Sequence, residues 1–99
     1  MYLIIWQYDV RPCALAAFES TYAADGAWAK LFRSDENYIG TSLLRDCSVP
    51  GRYVTIDRWK SASAFEQFKI CFNEQYKELD QRCSTLTEQE RQLGTFEMK

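Results

Sequence analysis

The chain has 99 residues, room for one domain over residues 1–99 with a small core that buries roughly 65% of the unfolded surface. Its formal net charge of −2 and the absence of any basic run argue against nucleic acid or an anionic membrane as partner. It has four cysteines with no C-x-x-C pair and no histidine, which excludes mixed cysteine–histidine zinc sites, Ser-His and Cys-His nucleophile pairs, an imidazole base and histidine-ligated haem.

The N-terminus is apolar only from Met1 to Trp6, too short for a signal h-region or a spanning helix, so a cytoplasmic protein is expected. Tyr2 to Val10 reads as the first strand. Tyr2, Ile4, Trp6 and Tyr8 lie on one face, and Leu3, Ile5, Gln7 and Asp9 on the other. Arg11-Pro12 ends it, and Cys13 to about Ala24 follows as a helix with Ala14, Leu15, Phe18 and Tyr22 at helical spacing. Asp25-Gly26 breaks that helix. Ala27 to Arg33 resumes the helical pattern with Trp28, Leu31 and Phe32, read as core residues rather than ligand contacts.

Tyr38 to Asp46 is the second strand, and Pro50-Gly51 marks a tight turn into a third from Arg52 to Lys60, antiparallel to it. Ser61 or Ser63 caps the next helix, Ser63 with Glu66 fitting a capping box. That helix is expected from about Ala62 to Arg82, with Phe65, Phe68, Phe72, Tyr76, Leu79 and Cys83 as one apolar stripe. Thr87 with Glu90 suggests a short helix ending near Leu93-Gly94, and Thr95 to Met98 a short last strand.

The order strand–helix–strand–strand–helix–strand predicts an α+β, ferredoxin-like βαββαβ fold, a four-stranded antiparallel sheet with helices on one face. The first strand is apolar on both faces, so a cover is needed for Tyr2, Ile4, Trp6 and Tyr8. A second copy packed sheet to sheet about a two-fold axis is the simplest. The cysteines are expected to be reduced structural thiols.

Asp57 is the residue in this pattern that packing explains least. It shares a strand face with Tyr53, Thr55 and Trp59, where carboxylates are rare unless paired or needed. Either that face is solvated, or Asp57 pairs with an arginine on the next strand, or it does chemistry.

Several segments together resemble the antibiotic biosynthesis monooxygenase (ABM) domain family, a branch of the dimeric α/β-barrel superfamily. They are Asp9-Val10-Arg11-Pro12, Gly26 to Phe32, Tyr38 to Asp46, Gly51-Arg52-Tyr53 and Asp57 to Ser61, with Tyr76 to Asp80 and Glu90 to Gly94 in the tail. The resemblance implies a homodimer through the sheet face, with a cavity between each sheet and its own helices or at the barrel mouth. Characterised relatives include cofactor-independent monooxygenases of polycyclic aromatic phenols, haem-degrading monooxygenases and modifiers of small signalling molecules. Trp59 matches a strand-end tryptophan of the haem-degrading branch. That branch also needs an asparagine on the first strand, near where Trp6 stands, and a histidine that this chain lacks.

The resemblance therefore points to an oxygenase that needs no cofactor or metal and acts on a small aromatic or polyketide-like molecule. Trp6, Tyr8, Tyr53 and Trp59 would wall its pocket, Asp57 would act as base, and Arg45 or Arg58 would hold the substrate anion. If Trp59 points inward, Asp57 and Tyr53 do too, and Arg58 faces away. The competing readings are a filled structural dimer, a small-molecule-binding module without catalysis, and another enzyme on the same scaffold.

Overall fold

Four antiparallel strands are hydrogen-bonded in the order β2-β3-β1-β4 in the computed structural model, which describes residues Met1–Lys99. The strands are β1 (Tyr2–Val10), β2 (Tyr38–Arg45), β3 (Arg52–Trp59) and β4 (Thr87–Glu97). A short 3-10 turn, Pro12–Ala14, leads into helix α1 (Leu15–Tyr22), followed by α2 (Ala27–Phe32), α3 (Ala62–Cys71) and α4 (Asn73–Cys83). This is the expected ferredoxin-like arrangement. No helix is long and apolar enough to cross a membrane.

The inner face of the sheet carries Ile4 and Tyr8 of β1, Thr41 of β2, and Tyr53, Thr55 and Trp59 of β3, all buried. Phe18 and Tyr22 of α1 stack with ring centroids 4.2 Å apart and press onto Tyr8. The face expected to need a second copy is therefore covered by the chain's own helices: Phe18 and Tyr22 of α1 reach over β1, and Phe32 of α2 lies over Tyr38 of β2 and Trp59 of β3. The face left open is the other one. Ile5 of β1 pairs with Ile56 of β3, flanked by Leu3 and Val54, with exposed Leu44 and Phe96 on the outer strands.

Three local expectations change. The long second helix breaks at Phe72, whose φ of −114° and ψ of 30° leave the helical region, so α3 and α4 are separate segments. The apolar stripe continues across the break, with Phe68 and Phe72 stacked at 5.1 Å. Ser61, not Ser63, is the cap, accepting a hydrogen bond from the Ala64 N–H at 3.1 Å. There is no helix after Thr87: β4 runs unbroken to Glu97 along the free edge of β1. Edge pairing with β1 satisfies a whole row of backbone groups, which one capping box cannot match. The Leu93-Gly94 pair that resembled a helix end is a bulge: Ile5 pairs with Gly94 and Trp6 with Gln92, and Gly94 has φ of +153°. Of the cysteines, all unbridged, only Cys83 is buried.

The break between α1 and α2 depends on Gly26. A Cβ there would stand 2.4 Å from the Thr21 carbonyl oxygen and 2.5 Å from that of Ser20, and a backbone oxygen cannot swing aside. Gly26→Ala is expected to cost about 2 to 3 kcal/mol of unfolding free energy, in the range of a forced overpacking. Urea unfolding would measure it, and an unchanged midpoint would mean the α1–α2 corner opens freely.

Candidate active site

A cavity of about 220 Å³ lies between the inner sheet face and the helices. Its sheet side is built by Trp6 and Tyr8 of β1, Thr41 of β2, and Thr55 and Asp57 of β3. Tyr22, Trp28 and Phe32 close it from α1 and α2, and Tyr76 from α4. Exposed Lys69, Asp80 and Glu90 add charge at its edge, the Lys69 ammonium lying over the ring of Tyr76 at 5.2 Å.

Asp57 is placed there by register. It sits on the central strand β3, opposite Ile4 on the other central strand β1 and Thr41 on the outer strand β2. Thr41 Oγ1 donates a hydrogen bond to Asp57 Oδ1 at 2.6 Å. Tyr38 OH lies 2.6 Å from the same Thr41 oxygen. Because the single Thr41 hydroxyl hydrogen is committed to the carboxylate, Tyr38 is the donor in that bond.

No cation pairs with this carboxylate. The chain's two ion pairs are Arg52–Asp9 and Lys99–Glu97. Arg58 points to the outer face and donates to Ser42 Oγ at 3.0 Å. Burial accordingly pushes the Asp57 carboxyl up to about 6, with the Thr41 hydrogen bond and then the Arg58 charge opposing it. The phenols stay neutral beside it. Burial, then the charges of Asp80, Asp57 and Glu90, pushes Tyr76 up to about 12. Tyr8 is raised further, mainly by burial. Burial and the Asp80 charge also raise Glu90.

Trp6, Tyr8 and Asp57 thus line one cavity. Trp59, Tyr53 and Arg45 are not part of its lining. Trp59 shares the Asp57 face but is 0% exposed, enclosed by Phe32, Tyr38, Phe65 and Phe68 with centroids 5.1 to 5.5 Å away. Tyr53 is buried against Phe18 and its hydroxyl donates to the Glu19 carboxylate. Arg45 ends β2 exposed and makes no ion pair. Conversely, Trp28, read as pure core, also faces the cavity, because α2 sets its ring between Tyr22 of α1 and Tyr76 of α4, with centroids 6.3 and 5.0 Å away. The sequence does not single out Thr41, Tyr38 or Lys69 as site residues, and it shows Tyr76 only as part of the apolar stripe. Thr41 is identified only by the strand register that sets it opposite Asp57. No three of the cysteine, aspartate and glutamate side chains converge as a metal site.

Residues 1–69 match the family model described as antibiotic biosynthesis monooxygenase, a span that holds Trp6, Tyr8, Thr41 and Asp57. The chain belongs to that family. No curated protein sequence matches it. Among solved structures of similar fold, SnoaB, a cofactor-independent oxygenase from Streptomyces nogalater, superimposes with a TM-score of 0.80 at 21% identity, over 99% of this chain and 92% of that one. A conserved protein from Methanosarcina mazei Go1 superimposes with a TM-score of 0.73 at 14% identity, over 99% of this chain and 92% of that one. At these identities the likeness is one of fold. The part of the cavity wall supplied by α4 and β4, including Tyr76, Asp80 and Glu90, lies beyond the segment that the family model matches.

Proposed function

We propose that this family member is a cofactor-independent monooxygenase acting on a small aromatic molecule that carries a phenol conjugated to an acidic C–H, and that Asp57 is its base. One observation carries the reading: a carboxylate with no cationic partner, raised to about 6, on the wall of a cavity that six aromatic side chains line, with the charges of Lys69, Asp80 and Glu90 at its edge. A base of that strength is mostly ionised at neutral pH and strong enough to take a proton from an acidic conjugated substrate.

The steps balance as follows. Asp57 removes a proton from the substrate methylene and leaves an electron-rich carbanion. The carbanion passes one electron to O₂, and the resulting radical and superoxide combine to form a C–O bond. The peroxide takes the Asp57 proton, loses the remaining C–H proton and eliminates water, leaving a carbonyl. One oxygen atom enters the product and the other leaves as water. Trp6, Tyr8, Trp28 and Tyr76 supply apolar walls that exclude water from the anion, and their faces suit a flat substrate. The neutral Tyr8 and Tyr76 hydroxyls are available as hydrogen-bond donors to substrate oxygen. Oxygen-electrode assays with hydroxylated anthrones and polyhydroxynaphthalenes test this. Uptake with transfer of one labelled oxygen atom supports it, while tight binding of the same compounds without uptake would make the protein a binding module.

We also propose that two copies pair through the open outer face, as the apolar strip of Leu3, Ile5, Val54 and Ile56 has no cover within the chain. Ile5→Asp would bury an unpaired charge there and is expected to yield monomer. Native mass spectrometry reads the outcome. A dimer of unchanged stability would place the interface elsewhere.

A further inference from the structure

We infer that Tyr38 and Thr41 are positioning residues, a two-hydroxyl relay that holds one oxygen of Asp57, presents the other to the cavity and keeps this carboxylate ionised at neutral pH. The geometry is directional. Tyr38 OH donates to Thr41 Oγ1, and Thr41 Oγ1 donates to Asp57 Oδ1, each over 2.6 Å. These distances fall at the short end for O–H···O bonds, as expected when the final acceptor is charged. No other donor reaches Asp57, so Oδ2 is the oxygen left for substrate.

The arrangement fits a division of labour within one side chain. A carboxylate free at both oxygens would rotate about χ2. One fixed at Oδ1 offers Oδ2 in a single direction. Tyr38 is itself held by its ring, packed against Phe32 at 5.4 Å and Trp59 at 5.4 Å, so the relay is anchored in the aromatic core. A donor chain that ends on a carboxylate favours its charged form, which opposes the burial that raises it. The other titratable or charged groups that face Asp57 across the cavity are Tyr8 on β1, Tyr22 on α1, Lys69 on α3, Tyr76 and Asp80 on α4, and Glu90 on β4. Arg58, next to it on β3, points to the opposite face. None of these donates to Asp57, so a change in the relay acts on the carboxylate without removing any of them.

The functional consequence rests on the reading of Asp57 as base, but the relay can be tested without any substrate. The experiment is a carbon-13 NMR titration of the Asp57 carboxyl in aspartate-labelled protein, assigned by loss of its signal in Asp57→Asn. The wild-type midpoint should lie near 6. Thr41→Val keeps the β-branched shape and removes the donor, and should raise the midpoint by about one pH unit, the scale of one hydrogen bond to a charged group. Thr41→Ser should restore it. Tyr38→Phe should move it in the same direction by less. A Thr41→Val midpoint equal to wild type in a folded variant would overturn the relay. So would a raised midpoint that Thr41→Ser leaves raised, since the cause would then be packing. An unmoved Tyr38→Phe midpoint would overturn the outer link. A relay verified in a protein that consumes no O₂ would leave the positioning role intact and remove only the oxygenase reading.

Discussion

Asp57→Asn is expected to lower O₂ uptake about 10³-fold while leaving ligand affinity within a few-fold, because it removes the base and preserves the shape of the cavity. The same substitution should stabilise the fold. The Asp57 carboxyl stands at about 6 in the folded chain against the ordinary aspartate value of 3.8, so folding favours the protonated form. Between those two values the folded state binds the extra proton, and stability falls as pH rises toward 6. Above 6 the ionised carboxylate therefore costs about 2 to 3 kcal/mol, a cost that the neutral asparagine does not carry. Its amide oxygen can still accept from Thr41. At pH 7.5 the variant should melt several degrees higher than wild type, and at pH 4 the two should converge. Loss of activity with a gain in stability separates a missing base from a damaged fold. Full activity in Asp57→Asn would remove Asp57 from the chemistry.

Trp59→Ala is expected to have the largest effect on stability, about 3 to 5 kcal/mol, because it deletes the largest fully buried side chain. Four aromatic partners would face the void, and Tyr38, one end of the relay, would lose the ring it rests on. Many preparations of this variant will be unfolded, so Trp59→Phe is the informative companion. The indole Nε1 is buried without a hydrogen-bond partner, and phenylalanine removes that orphan donor along with some volume. Trp59→Phe should fold, with a loss nearer 1 kcal/mol, and keep most of its activity. If Trp59→Phe retains wild-type stability but loses activity by orders of magnitude, Trp59 acts on substrate and not as packing.

Much of the architecture was legible because it follows from short-range patterns. Alternation in Tyr2–Val10 and Arg52–Trp59, the Pro50-Gly51 turn and the Asp25-Gly26 break each state a local preference that the fold keeps. The residues after Thr87 were not legible this way. Their helix signals are local, whereas their strand conformation depends on a β1 edge some 80 positions away in sequence. The same limit governs the site. Period-two alternation put Asp57 and Trp59 on one face correctly, yet could not show that β3 carries Asp57 under the cavity and Trp59 beyond it under α3. It also left open which sheet face the helices take. That choice covers Trp6 and Tyr8 and leaves Ile5 and Ile56 open. Thr41 is unremarkable in sequence because its role exists only through cross-strand pairing with Asp57.

The dependence of kcat/KM for O₂ uptake on pH, measured with a hydroxylated anthrone, tests the central claim most directly. Only the ionised carboxylate can accept the substrate proton, so the rate should rise tenfold per pH unit below 6 and level off above it, with a midpoint near the Asp57 value of about 6. In Asp57→Asn that limb should vanish. A profile that stays flat from pH 5 to pH 8, or one whose acid limb survives in Asp57→Asn, would contradict Asp57 as the base of this cavity.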